Sequence, residues 1–587
     1  MHPYPFLKEN VKALEKEGAP VFHWLAGRGM SRKALEGRII RNRRGFPDWR
    51  MSGGRGLFDA LTPAAAYRDW IPGDKAESSA TLIVGTNLGY GLHHVLTHTP
   101  DSHQVMVLEP RPEMLLACLS LSDYRPFLKK KRLSFIPPDR ALLYANIRRF
   151  ILPCLFGKVF LRSDLISRQL GAEYAVWTGY GQEALEYLGV ELNTVRLSQD
   201  RMIQNELGNF ERAMGEGGLT GLKGRGRGIS AVILGAGPSL DALAPQLGEN
   251  PGHALYAAAF QILPALEACG LKPHFCMAVD VSRSLMRVYD RLNPEWAADI
   301  PLIYATTVDP EVVRAYPGPT FPLWTLGGLA SHVLKDRDLV LDVGGNVGVG
   351  LFRLMLWLGV DRILLAGQDF AWPGSKTHAS GHFVSEEDFR FDPKVHIRCE
   401  NREGETLYSA LPYMTALRML EGDIARSGTP VCNLYGGGMD VEGSRRVTLE
   451  GLSEAGLLES VPGSVESLFR SLELAPPQDL RPLKGALHSG WMGALRRVRN
   501  RMERLFRKNR RAESEIRSAL NHALALLQQD PLFRPYLTNE ILNLAGLMYG
   551  KKKCGIRELG DSRQILKRVF EKVREMERGL RPLLLEN

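Results

Sequence analysis

Gly228-Ile-Ser-Ala-Val-Ile-Leu-Gly-Ala-Gly-Pro-Ser-Leu-Asp241 narrows what this chain can become more than any other stretch. Ala231–Leu234 reads as a short buried strand, and the residues after Asp241 read as the start of a helix. Between them, Gly235 and Gly237 let the backbone approach a ligand where a Cβ would clash. Pro238 suits the first helical turn, where its missing N–H costs nothing. The free N–H groups of such a turn, together with the helix dipole, make a phosphate site, here Gly235, Gly237, Pro238, Ser239 and Leu240. Two glycines after a strand also serve packing alone in many α/β proteins, so the rest of the chain has to decide.

Around this turn strands and helices alternate, the pattern of a parallel sheet. Strands are expected at 231–234, 254–259, 275–279, 301–305, 339–342, 362–366 and 430–433. Ligands of such sheets gather at the carboxyl ends of the strands, which selects Gly235–Leu240, Asp280 and Gly367–Phe370. Asp280 ends an apolar strand; it either holds ribose hydroxyls or a substrate proton, or caps the helix that follows. Asn346, in Gly344-Gly-Asn-Val-Gly348, either bonds a pyrimidine or phosphate or caps a helix starting near Val349. Gln368 and Asp369 end another strand, with Asp369 read as a ligand contact. Lys376, His378 and His382 share the loop beyond. There His378 is a candidate general base or phosphate contact, and Lys376 a counter-charge for phosphate.

These motifs resemble, in order, those of the bacterial motility accessory factor family, the flagellin glycosyltransferases. The turn at 235–240 is joined by Leu271-Lys-Pro-His-Phe-Cys-Met-Ala-Val-Asp280 and Gly344–Gly348. Leu365-Ala-Gly-Gln-Asp-Phe-Ala371, Lys376-Thr-His-Ala-Ser-Gly381 and Asn433-Leu-Tyr-Gly-Gly-Gly438 follow. The central domain of that family is similar to bacterial sialyltransferases and archaeal hydroxymethylpterin pyrophosphokinases. The resemblance implies transfer of a nonulosonic, sialic-like sugar from its CMP-activated form to flagellin serine or threonine, with no further cofactor and no metal. It implies catalytic roles for His378, Asp280 and Lys376, and nucleotide contacts from Gly235, Gly237, Pro238, Ser239, Leu240, Asn346, Gln368 and Asp369. Where the family more often has a small hydroxyl residue this chain has Asn346, and His274 stands where the family has an acid. A pterin pyrophosphokinase, or a non-catalytic nucleotide-binding protein that contacts flagellin, are the other readings.

The N-terminal stretch holds a second glycine-rich unit. Ala80-Thr-Leu-Ile-Val-Gly-Thr-Asn-Leu-Gly-Tyr-Gly91 is a strand entering a turn, and Gln104–Glu109 is a strand ending in an acid 18 residues past the last glycine. That geometry can hold a nucleoside, with Glu109 on the ribose, and it resembles the cofactor motif of adenosylmethionine-dependent methyltransferases. No methyl-transfer motif follows Leu133-Ser-Phe-Ile136, so the unit is read as Rossmann-like without that activity.

The expected architecture is α/β. A Rossmann-like N-terminal domain (1–195) precedes a central, doubly wound, mostly parallel sheet (196–460), which is followed by a linker and a C-terminal helical domain (461–587). A helix over 194–214 and a flexible, basic, glycine-rich connection over 215–228 link the first two. Ala475-Pro-Pro-Gln-Asp-Leu-Arg-Pro482 begins the last part. Beyond it, Leu495, Val498, Met502 and Leu505 mark one helical stripe, and Ile516, Leu520, Ala523 and Leu527 another. The first of these helices is crowded with arginine, but no nucleic-acid motif accompanies it. The net charge of +10 favours an anionic partner. Seven scattered cysteines, no apolar run of membrane-spanning length and an N-terminus unlike a signal peptide suit a cytoplasmic protein.

Overall fold

A computed structural model describes residues 4–29, 31–71, 77–328, 340–384, 389–454, 456–477, 491–508, 512–529, 534–551 and 553–580. The chain forms two compact units. One comprises Met1–Asn193, Met502–Asn521 and Leu542–Arg563; the other comprises Thr194–Arg501, His522–Ile541 and Gln564–Asn587.

The first unit is built on a parallel sheet of four strands: β1 (Ala80–Val84), β2 (Gln104–Leu108), β3 (Leu133–Ile136) and β4 (Val159–Ser163), in the order β3-β2-β1-β4. Alternate residues of β1 and β2 face two separate cores. Ile83, Val105 and Val107 pack into one, and Leu82, Val84, Met106 and Leu108 into the other. Both faces are thus covered, as parallel sheets require.

The turn between β1 and helix α1 (Tyr90–His98) is filled by the chain itself. A Cβ on Gly89 would stand 2.3 Å from the Tyr124 hydroxyl, and one on Gly91 would stand 2.7 Å from the Trp70 ring. Glu109 is buried, and both of its carboxylate oxygens are bonded within the unit. Oε2 accepts from the Thr86 N–H (2.6 Å) and hydroxyl (2.9 Å), and Oε1 from the Arg111 N–H (3.0 Å) and Tyr174 hydroxyl (2.7 Å). The acid whose position could serve a ribose instead clamps the β1–α1 turn.

A 43-residue helix, α2 (Glu173–Gly215), runs through the boundary at residue 193. It starts some twenty residues earlier than its apolar pattern indicates, because Gly179 and Gly181 lower helix propensity there. Gly181 is where α2 meets β1: a Cβ would stand 3.1 Å from Leu82. In the second unit α2 carries Asn205 and Asn209, whose amides donate to the carbonyls of Val281, Thr306, Thr307 and Val308 (2.7–3.0 Å). Helix side chains thereby satisfy backbone groups that the sheet leaves open at its carboxyl edge.

The second unit contains a nine-stranded sheet with every neighbouring pair parallel. Its strands are β5 (Ser230–Leu234), β6 (Leu255–Ala259), β7 (Phe275–Ala278), β8 (Leu302–Ala305), β9 (Thr320–Thr325), β10 (Val340–Leu341), β11 (Arg362–Ala366), β14 (Val431–Leu434) and β15 (Arg445–Val447). The order is β10-β9-β8-β7-β6-β5-β11-β14-β15; an antiparallel hairpin, β12 (His396–Glu400) and β13 (Thr406–Ala410), stands apart. The chain builds outward from β5 to β10, then returns to the other side of β5 as β11. The switch in direction falls between β5 and β11. Helix α3 (Leu240–Glu249) packs Leu240, Leu243 and Leu247 on the face of Val232 and Leu234, while α4 (Val347–Leu358) packs Val349, Phe352 and Met355 on the face of Ile233 and Met277. The sheet is doubly wound, as its sequence pattern indicates.

The connection over 215–228 is laid down firmly, contrary to the flexible link its glycines suggest. Leu219 and Leu222 are buried, and the N–H groups of Gly224 and Gly226 donate to the carbonyls of Trp357 (3.2 Å) and Leu358 (2.7 Å) at the end of α4. Beyond it, residues 478–482 of the proline-rich segment lie outside the described residues. Helices follow at Trp491–Arg507, Glu513–Gln529, Thr538–Met548 and Ile556–Gly579. Both expected apolar stripes are buried, and Arg510 and Arg511 lie outside the described residues. Among the described residues, no helix is long and apolar enough to cross a membrane.

Burial pushes Glu109 up to about 7, against the opposing pull of its bonds from Thr86, Arg111 and Tyr174. The folded unit therefore holds a proton that the unfolded chain releases above ~4.3. The stability this group contributes is full at low pH and is lost as pH rises towards 7. Glu109→Gln cannot ionise, and the Tyr174 hydroxyl can turn to accept from or donate to it. The substitution is expected to flatten that fall, read as the protection of β1 amides from hydrogen exchange between pH 5 and 8.

Candidate functional site

The switch between β5 and β11 brings three strand ends together: Gly235–Ser239 after β5, Gly367–Phe370 after β11 and Tyr435–Met439 after β14. The crevice that such a switch leaves between diverging loops is laced by hydrogen bonds here. The Gly235 N–H donates to the Ala366 carbonyl and the Gly237 N–H to the Gly367 carbonyl, each at 2.8 Å. Asp369 accepts from the Ser239 N–H (2.8 Å) and the Ser239 hydroxyl (2.5 Å). Its own carbonyl accepts from the Met439 N–H (2.9 Å), which ties in the third strand end.

This arrangement corrects the expected phosphate site. Of the turn's donors, Gly237 and Ser239 are already bonded, Pro238 has none, and the Leu240 N–H donates to the Gly237 carbonyl at 3.1 Å. The anion at the start of α3 is the chain's own Asp369. The glycines serve close approach all the same, but to protein. A Cβ on Gly237 would stand 2.4 Å from Asp369 Oδ2, and one on Gly235 would stand 2.4 Å from the Gly367 carbonyl oxygen. Gly436 and Gly438 likewise let the third loop close on Ser239 and Asp369. Burial raises the Asp369 carboxyl to about 6, the two Ser239 bonds opposing the shift. Phe370 follows with a φ of +55°, unusual for a bulky residue, and its carbonyl is held by the Ser409 hydroxyl at 2.7 Å.

Lys376, His378 and His382 do share one loop, and it docks on the β5 turn, with the Ala379 N–H donating to the Ala236 carbonyl (3.0 Å). Lys376 is committed to a latch: its ammonium pairs with Asp241 and donates to the Ser380 hydroxyl (2.9 Å). Asp241 also accepts from the Ser380 N–H and hydroxyl, each at 2.8 Å. Burial works against the Asp241 charge, but these bonds outweigh it and hold the carboxyl below its ordinary range. Lys376 is thus a neutralised loop anchor rather than a free counter-charge.

His378 is stacked on His382 with ring centres 4.1 Å apart. Both of its nitrogens are engaged, Nδ1 with the Thr377 hydroxyl (2.9 Å) and Nε2 with the Tyr413 hydroxyl (3.3 Å) of helix α5 (Leu411–Ser427). Burial lowers His378 to about 4. It lowers His382 to about 3, with the neighbouring His378 and Arg287 adding to the shift. The pair is neutral at neutral pH, and His378 is a weaker base than an unburied imidazole.

Asp280 is exposed, two strands away from β5 in the sheet order, or ~10 Å by strand spacing. Its Oδ1 accepts from the Ser282 N–H at 2.9 Å in a local turn, while the cap of the short helix that follows is Ser282 itself, and Asn205 fixes the adjacent Val281 carbonyl. Asn346 caps α4, its Oδ1 accepting from the N–H groups of Gly348 (2.9 Å) and Val349 (3.3 Å). Gln368 is 8% exposed, and its carboxamide is wedged between two glycines. A Cβ on Gly235 would stand 2.6 Å from its Nε2, and one on Gly348 would stand 2.5 Å from its Oε1. Sequence reasoning did not find Tyr413, Trp372 or the β12–β13 hairpin, where the Trp372 N–H donates to the Tyr408 carbonyl (2.8 Å) and the Trp372 ring meets Tyr413 edge-on at 5.8 Å. Nothing in their local spacing marks them; only the fold brings Tyr413 to His378 and Trp372 to Tyr413.

Residues 204–375 match the model of the 6-hydroxymethylpterin diphosphokinase MptE-like family. The chain superposes on the structure of the MAf glycosyltransferase from Magnetospirillum magneticum AMB-1 with a TM-score of 0.57 at 16% identity, covering 99% of this chain and 96% of that one. The chain shares the fold of that structure. The likeness extends over both units and is one of architecture. No curated protein matches the chain.

Gly237→Ala is expected to destabilise the second unit by about 2 kcal/mol through overpacking against Asp369. In an Asp369→Ala background the same change is expected to cost less, because the carboxylate it strikes is gone. Chemical unfolding of the four proteins of this cycle measures the difference.

Proposed function

We propose that the protein is a glycosyltransferase that moves a nonulosonic sugar from CMP to a serine or threonine hydroxyl of flagellin. The observation that carries this reading is the convergence of the β5, β11 and β14 ends with the 376–382 loop at the switch point of the sheet. The motility accessory factor architecture, shared with a protein described as a glycosyltransferase, supports it. In the proposed reaction the bond from the anomeric carbon to the CMP phosphate breaks, and its electron pair leaves with the phosphate oxygen. The acceptor hydroxyl oxygen bonds to that carbon and gives up its proton. Charge develops on the departing phosphate, so fixed donors near it lower the barrier.

Asp280 is the proton acceptor in this scheme. It is an exposed carboxylate at the carboxyl edge, open to a protein substrate, and its position is fixed through Ser282 and Asn205. His378 shapes the loop, because both ring nitrogens are engaged and burial disfavours its protonation. The second reading, pyrophosphoryl transfer to a pterin, is favoured by the MptE-like match over residues 204–375. It is separated from the first by whether ATP or a CMP-sugar is consumed.

At saturating CMP-nonulosonate and with flagellin as acceptor, Asp280→Asn is expected to lower turnover by at least 100-fold while CMP affinity is kept. His378→Ala is expected to lose far less. The opposite ranking transfers the base role to His378, and consumption of ATP with a pterin instead of CMP-sugar with flagellin removes the glycosyltransferase reading.

A further inference from the structure

Two helices begin at the switch point, and their N-termini differ. That of α3 is closed by Asp369, as described above. That of α4 is approached by the two-glycine turn Gly344-Gly345, with φ values of +62° and +69°. Its cap, Asn346, satisfies the N–H groups of Gly348 and Val349. Among the described residues, no group accepts from the N–H of Gly345 or Val347. A Cβ on Gly345 would meet nothing within 4 Å.

A second observation points to the same place. Gln368 Nε2 is buried and has no hydrogen-bond partner among the described residues. It lies between the β5 turn, 2.6 Å from the position of a Cβ on Gly235, and the first turn of α4, 3.0 Å from that of a Cβ on Gly348, with the Oε1 of the same carboxamide 2.5 Å from the latter. A buried amide donor without a partner costs about 1–3 kcal/mol. Here it is also immobilised: a side chain on either glycine would strike the carboxamide. Such a fixed donor next to the positive end of a twelve-residue helix suits an incoming anion.

We propose that the anion site of this protein is the N-terminus of α4 with Gln368, and that it takes a phosphate or phosphoester group. The glycine turn after β5 forms its wall. Gly235 and Gly348 leave room for the carboxamide, the Gln368 N–H donates to a phosphate oxygen, and backbone N–H groups at Gly345 and Val347 supply further donors. Resting on the proposed CMP-sugar reading, the site receives the phosphate that leaves with CMP and stabilises the charge developing there. The departing group is then neutralised by fixed dipoles, since Lys376 is already paired with Asp241.

The test is calorimetric titration of the full chain with inorganic pyrophosphate, CMP and cytidine. Pyrophosphate and CMP are expected to bind the wild type, CMP more tightly than cytidine. Gln368→Met, which keeps the shape without the donor, is expected to weaken both phosphate ligands at least 10-fold. Gln368→Glu, which places a negative charge there, is expected to weaken them further, and cytidine should bind all three proteins alike. Hydrogen exchange on the wild type needs no variant: pyrophosphate should slow the amides of 345–348 and leave those of 235–241 unchanged. Unaltered pyrophosphate affinity in Gln368→Glu, no binding by the wild type, or protection confined to 235–241 overturns the site. Failure of the glycosyltransferase reading looks different. The expected pyrophosphate pattern with no CMP-sugar consumed by the wild type keeps the anion site and removes the CMP-sugar donor.

Discussion

The second unit depends on one carboxylate. Asp369 stands at the end of β11, yet its side chain occupies the start of α3 and its backbone carbonyl holds the loop after β14. One residue thereby links three strand ends at the place where the sheet changes direction. Burial opposes its charge, and the two Ser239 donors with the helix dipole offset only part of that cost. The glycines around it follow from this. Gly237, Gly436 and Gly438 are small because Asp369, Ser239 and their backbone fill the space beside them. The same interaction explains why the best-marked motif of the sequence is a poor phosphate site: the N–H groups of Gly235, Gly237, Ser239 and Leu240 are bonded inside the protein.

Much of the architecture was legible because buried parallel strands are nearly continuous apolar runs, and every strand expected in the central part is present. Leu339, at the edge of one of them, lies outside the described residues. What was missed has physical causes. Thr320-Phe-Pro-Leu-Trp-Thr325 forms β9 although Pro322 argues against an internal strand; Pro322 pairs with Tyr304 in register. Strand β15 has only three residues, two of them arginines at the sheet edge. The first half of α2 was hidden by glycines, of which Gly181 serves close packing on β1. In each case a tertiary contact overrides a local preference, and local preference is all that a single sequence displays.

The candidate site was legible in a different sense. The rule that ligands gather at the carboxyl ends of parallel strands picked residues that lie along one edge, and the loop carrying Lys376 and His378 docks there as well. Position was readable; availability was not. Whether Lys376 is a free cation depends on Asp241, 135 residues earlier in the chain. Whether His378 titrates near neutrality depends on its burial, where it stacks on His382 and meets Tyr413. Asn346 and Glu109 illustrate the same limit, since each carries the right chemistry for a ligand and gives it to the protein's own backbone. Polar groups at strand ends first satisfy the fold, because an unpaired buried donor or acceptor is costly.

That ordering gives a criterion for reading the edge of such a sheet. Donors already bonded cannot bind a ligand without giving something up, so a binding group shows itself as one that the fold positions and leaves without a partner. Asp369, Asn346 and Lys376 are positioned and satisfied. Gln368 is positioned by two glycines, buried to the same degree as Asp369, and its Nε2 is not satisfied among the described residues. The fold bears the cost of an orphan donor where it could have placed an apolar side chain of similar size. It places that donor between the two helix N-termini of the switch point, one closed by an internal carboxylate and the other not. Closing α3 with Asp369 also puts a negative charge beside the β5 turn, which disfavours a second anion there and favours one at α4. The internal anion that stabilises one half of the crevice thus helps to decide which half an external anion enters.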